Sequence, residues 1–248
     1  MEVNKPFKLL TAIINHNHNK EGIALKKAFA PLTDTILIDS GSTFEDDEKE
    51  HFDFTLPNVY YNGLINQAFE ALKSEHTHML LVTSDVMIED FEVLLNRMKE
   101  VYNQHEKVTV YAPSAIHSTH HHMNNLKSDD IRKVTFTEGF CFVMPKEYLN
   151  DICPIDLSVN KIGHGIDMYM GYLSMKNDRW AVVDDRITVD HPHGSGYSDK
   201  QARIERDQWY ATKSKAAQAY HYWISKDILK NKFGYFVLKF IMKFYTLN

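Results

Sequence analysis

The sequence predicts an α/β domain with a mostly parallel central sheet flanked by helices, and a helical extension at its carboxyl end. Three observations predict it. Short apolar runs alternate with segments of helical period through the first half of the chain. A polar cluster follows each clear run, as expected where the strands of an open sheet end at a ligand crevice. The composition, 44% hydrophobic and 25% charged over 248 residues, suits one domain with a sizeable core.

Residues 8–14 (KLLTAII) read as a buried strand running into Asn15-His16-Asn17. Residues 21–29 carry apolar positions at helical spacing, and Pro31 ends them. A second buried strand, residues 35–38 (TILI), stops at Asp39-Ser40-Gly41-Ser42. After a helix over 64–72, a third strand at 79–82 (MLLV) stops at Thr83-Ser84-Asp85. A helix over 91–101 leads to a strand at 108–111.

The second half is less regular. Residues 135–144 (TFTEGFCFVM) read as strand, turn, strand, with Glu138-Gly139 at the bend. Gly163-His164-Gly165 opens a helix over 166–175. Residues 180–183 form a strand, Asp184 and Asp185 read as a solvated turn, and 187–190 lead into His191-Pro192-His193-Gly194. His120, His121 and His122 read as a mobile loop able to close over a ligand. From Lys200 the chain reads as helical to its end, which gives a division into 1–199 and 200–248.

A formal charge of −5 lacks the excess of Lys and Arg that a nucleic-acid partner favours. Two cysteines, Cys141 and Cys153, make no disulfide scaffold and suit a reducing cytoplasm. The apolar run near the amino terminus is short and lacks a small-residue cleavage site, and no stretch reaches the roughly 18–20 apolar residues of a membrane span. The expected location is cytoplasmic, soluble or peripheral on the inner face of a membrane.

Five segments in order carry a resemblance. Asn15-His16-Asn17 and residues 36–42 (ILIDSGS) resemble the start of an inverting family-2-type glycosyltransferase of the GT-A fold. Residues 61–90 (YNGLINQAFEALKSEHTHMLLVTSDVMIED) are similar to that family's Asn-Gly helix start, strand and Asp-x-Asp region. Residues 138–146 (EGFCFVMPK) resemble its acceptor-side segment, and 163–173 (GHGIDMYMGYL) the helix bearing the catalytic carboxylate. The match spans roughly residues 8–195.

The resemblance implies a hexosyltransferase-type enzyme moving a sugar from a nucleotide-sugar donor to a glycan or lipid-linked acceptor hydroxyl, in the making of an envelope or cell-surface glycan. Asp39 would accept a hydrogen bond from the nucleobase, and suits the imide of uracil, hence a UDP-sugar. Asn15 and Asn17 would line that pocket, with Ser84 and Asp85 on the nucleotide. Asp85 would hold Mn²⁺ or Mg²⁺ on the diphosphate, although Thr83 stands where the family carries a first acidic residue. By residue type alone, Asp85 also reads as the N-cap of a helix over 86–93. His191 or His193 would complete the metal site, imidazole suiting Mn²⁺ better than Mg²⁺. Asp167 would be the general base, preceded by Ile166 where the family often has Glu. Gly139, Phe140 and Gly165 would lie against donor or acceptor sugar, with Gly163 and Gly165 admitting close approach.

Two other functions share such a sheet. A sugar-phosphate nucleotidyltransferase would carry a Gly-rich first loop, and residues 15–19 (NHNHN) contain no glycine. A catalytically silent nucleotide-sugar or glycan-binding domain would accommodate Thr83 and Ile166. Residues 232–245 (KFGYFVLKFIMKFY) place Lys232, Lys239 and Lys243 on one face of a helix that either lies on an anionic membrane surface or docks on the protein.

Overall fold

The structure, a computed structural model, describes residues 7–45, 47–192, 197–226 and 234–245. β1 (Leu9–Asn15) is buried along its whole length, the pattern of a strand covered on both faces. It pairs in parallel with β2 (Asp34–Ser40) on one side and β4 (His78–Thr83) on the other. α1 (Asn19–Phe29) crosses to β2, turning Ile23, Leu25 and Phe29 inward. β3 (Phe54–Leu56) extends the edge, and α2 (Tyr60–Glu70) returns the chain to β4. α3 (Phe91–Gln104) leads to β5 (Val108–Ala115).

With β6 (Ile131–Val134), β7 (Cys141–Pro145) and β8 (Trp180–Val189), the described residues form one eight-stranded sheet, ordered β3-β2-β1-β4-β7-β5-β8-β6. β6 and β7 run antiparallel to their neighbours, the rest parallel. Chain order reverses at β1, so the crevice lies beyond the carboxyl ends of β1, β2 and β4. α4 (Lys146–Leu149) follows β7, and α5 (Ile166–Lys176) precedes β8.

Residues 135–144 form no hairpin. β6 pairs with β8, while β7 lies between β4 and β5, so residues 135–140 cross from one to the other. Alternation announces a strand but not its partner. Asp85 caps no helix: Met87 bridges Asp190, and α3 begins at Phe91, where the Asp90 carboxylate accepts from Val93 N at 2.9 Å.

Asp184 and Asp185 are not a solvated turn, because β8 continues through them. Asp184, wholly buried, accepts from Arg97 Nε at 2.7 Å and from the Tyr111 hydroxyl at 3.1 Å. Asp185 takes Arg132 Nε and Nη2, both at 2.8 Å. His120 and His122 pack on Phe136, ring centroids 5.1 and 4.6 Å away, so the histidine run is held against the core at these two positions.

The carboxyl-terminal stretch is divided into α6 (Asp199–Ala211), α7 (Lys215–Ile224) and α8 (Gly234–Met242). Ser198 and Ser214 begin α6 and α7, each accepting from a backbone N–H of the first turn. Tyr220 of α7 donates to the Thr135 carbonyl, and Gly171 of α5 is the notch it fits. Glu205 of α6 accepts from Lys161 N and Ile162 N at 2.9 Å, holding the loop ahead of α5. Among the described residues no helix is long and apolar enough to cross a membrane.

Candidate active site

Asn15 ends β1 directly opposite Asp39 in the β1–β2 register, and both are buried. Asn15 Nδ2 donates to Asp39 Oδ1 at 2.9 Å and to Asn19 Oδ1 at 2.9 Å. Ser42 N donates to Asp39 Oδ2 at 2.9 Å, and the Ser42 hydroxyl donates to Oδ1. A buried carboxylate needs such donors, and these fix its plane. Gly41 makes the turn at φ +72°; a Cβ there would stand 2.8 Å from Asn58 N. Asn17 joins through its backbone: in a left-handed turn (φ 61°), its N–H donates to Ser42 Oγ at 2.7 Å, while its exposed side chain meets His16.

Ser84 follows β4, its N–H bonded to Ile14 O at 2.9 Å and the residue buried near Gly22 of α1. Asp85 stands beside it. The Met87–Asp190 bridge, with N–H···O distances of 2.8 and 3.1 Å, clips the segment after β4 to the end of β8. That clip brings Asp85 Oδ2 to 3.1 Å from His191 Nε2. Partial burial of Asp85 opposes its charge, but hydrogen bonds from His191 and Thr83 outweigh it and hold the carboxyl below its ordinary range. Phe140 lies flat on the His191 ring, 4.7 Å between centroids and 14° apart in plane, so it packs against His191 and is buried. His193 lies outside the described residues.

Asp167 occupies the first turn of α5, and its Oδ1 accepts from Met168 N at 2.8 Å. Asp167 is half-buried, and this partial removal from water pushes its carboxyl up to about 7; the Met168 N–H opposes this, and the Glu138 charge adds to it. Burial likewise raises Glu138, against a hydrogen bond from the Ser118 hydroxyl and the charge of His191. The Glu138 charge thus bears on Asp167, and the His191 charge on Glu138.

The glycines predicted to face sugar have protein neighbours. A Cβ at Gly139 would come within 2.5 Å of the Tyr61 hydroxyl, which donates to the Gly139 carbonyl. At Gly163 (φ +96°) it would meet Tyr61 Cδ1 at 2.6 Å, and at Gly165 (φ +91°) Arg206 Cγ at 2.7 Å. Gly165 also gives its carbonyl to the Tyr210 hydroxyl at 3.1 Å. Gly163 and Gly165 let Tyr61 and α6 close on the loop ahead of α5, and Gly139 lets Tyr61 close on the crossover before β7.

Sequence reasoning passed over Glu138 and Tyr61 as site residues. Both gain their partners from residues distant in sequence, Glu138 from Ser118 and Tyr61 from Gly139, which no local pattern encodes. Asp190 Oδ1 is buried without a partner among the described residues. No cluster of three His, Cys, Asp or Glu able to hold a metal forms among the described residues.

No family model and no curated protein matches the sequence. Solved structures do match by fold. A mannosyltransferase, PcManGT from Pyrobaculum calidifontis in complex with GDP-Man and Mn²⁺, aligns with a TM-score of 0.56 and 13% identity over 82% of this chain and 63% of its own. GalNAc-T7 with UDP, GalNAc and Mn²⁺ aligns with a TM-score of 0.57 and 9% identity, covering 88% of this chain and 48% of that one. A mycobacterial protein aligns at 0.52 and 12%, covering 83% and 73%. The chain thus spans less than two thirds of the first two neighbours. The fold is of the GT-A glycosyltransferase type, as the sequence resemblance implied.

Proposed function

We propose that the chain moves a hexose from a UDP-sugar to a hydroxyl of a glycan or lipid-linked acceptor, with inversion at the transferred carbon. One observation carries the reading: Asp167 stands in the first turn of α5 with its carboxyl pushed up to about 7, while Asp85 and His191 pair where the segments after β4 and β8 meet. Inverting displacement needs a base on the acceptor hydroxyl, on the face opposite the leaving diphosphate, and a base works best with a pKa near the operating pH. In the step, Asp167 takes the hydroxyl proton as oxygen bonds to the sugar carbon, and the bond from that carbon to the nucleoside diphosphate breaks. The diphosphate leaves with the electron pair.

Asp39 is the nucleobase acceptor in this reading. Its geometry is already fixed by Asn15 and Ser42, so little reorganisation is needed on binding. Asp85 and His191 would hold a divalent ion in place of their hydrogen bond, with Nε2 giving up its proton: a carboxylate oxygen and an imidazole nitrogen 3.1 Å apart suit Mn²⁺ better than Mg²⁺. Two protein ligands suffice where diphosphate oxygens and water complete the shell. The ion would neutralise charge on the departing diphosphate. Residues 1–199 carry these groups, and 200–248 are an extension that steadies the loop before Asp167.

Asp167→Asn tests the mechanism. Transfer should fall by about 10²–10⁴-fold while donor binding is kept. Undiminished turnover would remove Asp167 from the chemistry.

A further inference from the structure

α8 is amphipathic in an unusual sense. Tyr235, Leu238 and Met242, spaced i, i+3, i+7, pack inward, where α8 lies against α7 and β6. The opposite face exposes Phe236 (62%), Val237 (47%), Phe240 (64%) and, just beyond the helix, Phe244 (63%). A soluble surface normally places charge there, and an exposed apolar patch of this kind marks an interaction site.

The surroundings of the patch are basic. A cleft of about 140 Å³ beside α8 is walled by Tyr172, Met175, Tyr220, and the lysines Lys176, Lys239 and Lys243. Lys239 donates to Asp178 at 2.8 Å, which anchors α8 just before the amino end of β8. Residues 228–248 contain Lys230, Lys232, Lys239 and Lys243 and no acidic residue. Aromatic side chains on one face with lysines at its margins match the interface of an anionic bilayer, where rings enter the headgroup boundary and lysines meet lipid phosphates.

We infer that α8 docks the protein on an anionic membrane surface through Phe236, Val237, Phe240 and Phe244, with the lysine-lined cleft receiving lipid headgroup phosphate. A nine-residue helix is about 14 Å long and cannot span a hydrocarbon core of about 30 Å, so it lies in the interface plane. The anchor at Asp178 and the pair at Asp190-His191 flank opposite ends of β8. Docking through α8 therefore leaves the crevice open.

The test is cosedimentation of the full chain with vesicles of phosphatidylcholine alone and of an equimolar mixture with phosphatidylglycerol. The chain should bind the mixed vesicles and not the neutral ones. Phe236→Ser with Phe240→Ser, and separately Lys176→Glu, should weaken that binding by about tenfold or more without lowering the unfolding temperature, since all three side chains face solvent. Failure of the wild-type chain to bind anionic vesicles overturns the inference, as does equal binding to neutral ones. Vesicle binding untouched by the Phe variants, or a concentration-dependent dimer lost in those variants with no vesicle binding, also overturns it.

Discussion

A carboxyl that titrates near neutrality has opposite consequences for activity and for stability. As the proposed base, Asp167 would act only when ionised, so kcat/KM should fall below pH 7 and level off above it. For stability, its folded pKa is raised above the ordinary carboxylate value. The folded state therefore binds the extra proton between about pH 4 and 7, and stability falls as pH rises through that window. Asp167→Asn removes the penalty. Its unfolding temperature should match the wild type near pH 4 and exceed it by several degrees at pH 8, as read by thermal denaturation across pH. An advantage of the same size at every pH would mean that the carboxyl is not shifted. Asp85 runs the other way: its lowered pKa makes the ionised form the stabilised one, ready for a cation at neutral pH. Asp85→Asn should abolish the Mn²⁺-dependent part of donor binding and leave the metal-free part, as titration calorimetry with and without the ion would show.

At the scale of elements, two contacts that local sequence does not announce hold the site's frame. Arg97 of α3 meets Asp184 in the middle of β8, both buried. Two adjacent aspartates suggest a turn when read locally, and only the arrival of Arg97 and Arg132 from distant segments makes them tolerable inside a strand. Arg97→Met should cost about 3–5 kcal/mol, because it strands the Asp184 charge; chemical denaturation measures it. Gly171 is the second case. Helix propensity alone favours Ala there by about 1 kcal/mol. A Cβ would instead collide with the Thr135 carbonyl and stand 2.9 Å from the Tyr220 hydroxyl. Gly171→Ala should therefore destabilise by about 1–3 kcal/mol or more, the sign opposite to propensity.

At the scale of the whole molecule, what the sequence showed was the parallel half. β1, β2 and β4 are short apolar runs stopped by polar clusters, and a parallel sheet sends those clusters to one end whatever the loops do. That Asn15, Asp39 and Ser84 gather at one end follows from that rule; the register that sets Asn15 opposite Asp39 does not. The antiparallel half was not legible, because β6 and β7 take partners that hairpin logic does not give them, and Glu138 gains its neighbours only through that crossover. The legible half is also the one proposed to bind the donor, so it yields the most direct test of the whole reading. A ligand that binds only the folded state at about 100 times its Kd adds about 2.7 kcal/mol, or roughly 5–10 °C for a chain of this size. UDP with Mn²⁺ should produce such a shift, the ion should be required for most of it, and a purine diphosphate should do less. Asp39→Asn keeps one acceptor oxygen but replaces the other with a donor, so its ligand-induced shift should fall by half or more relative to its own ligand-free midpoint. A full shift in that variant would move the nucleobase away from Asp39. No shift with any nucleoside diphosphate would leave a GT-A fold whose crevice serves some other ligand.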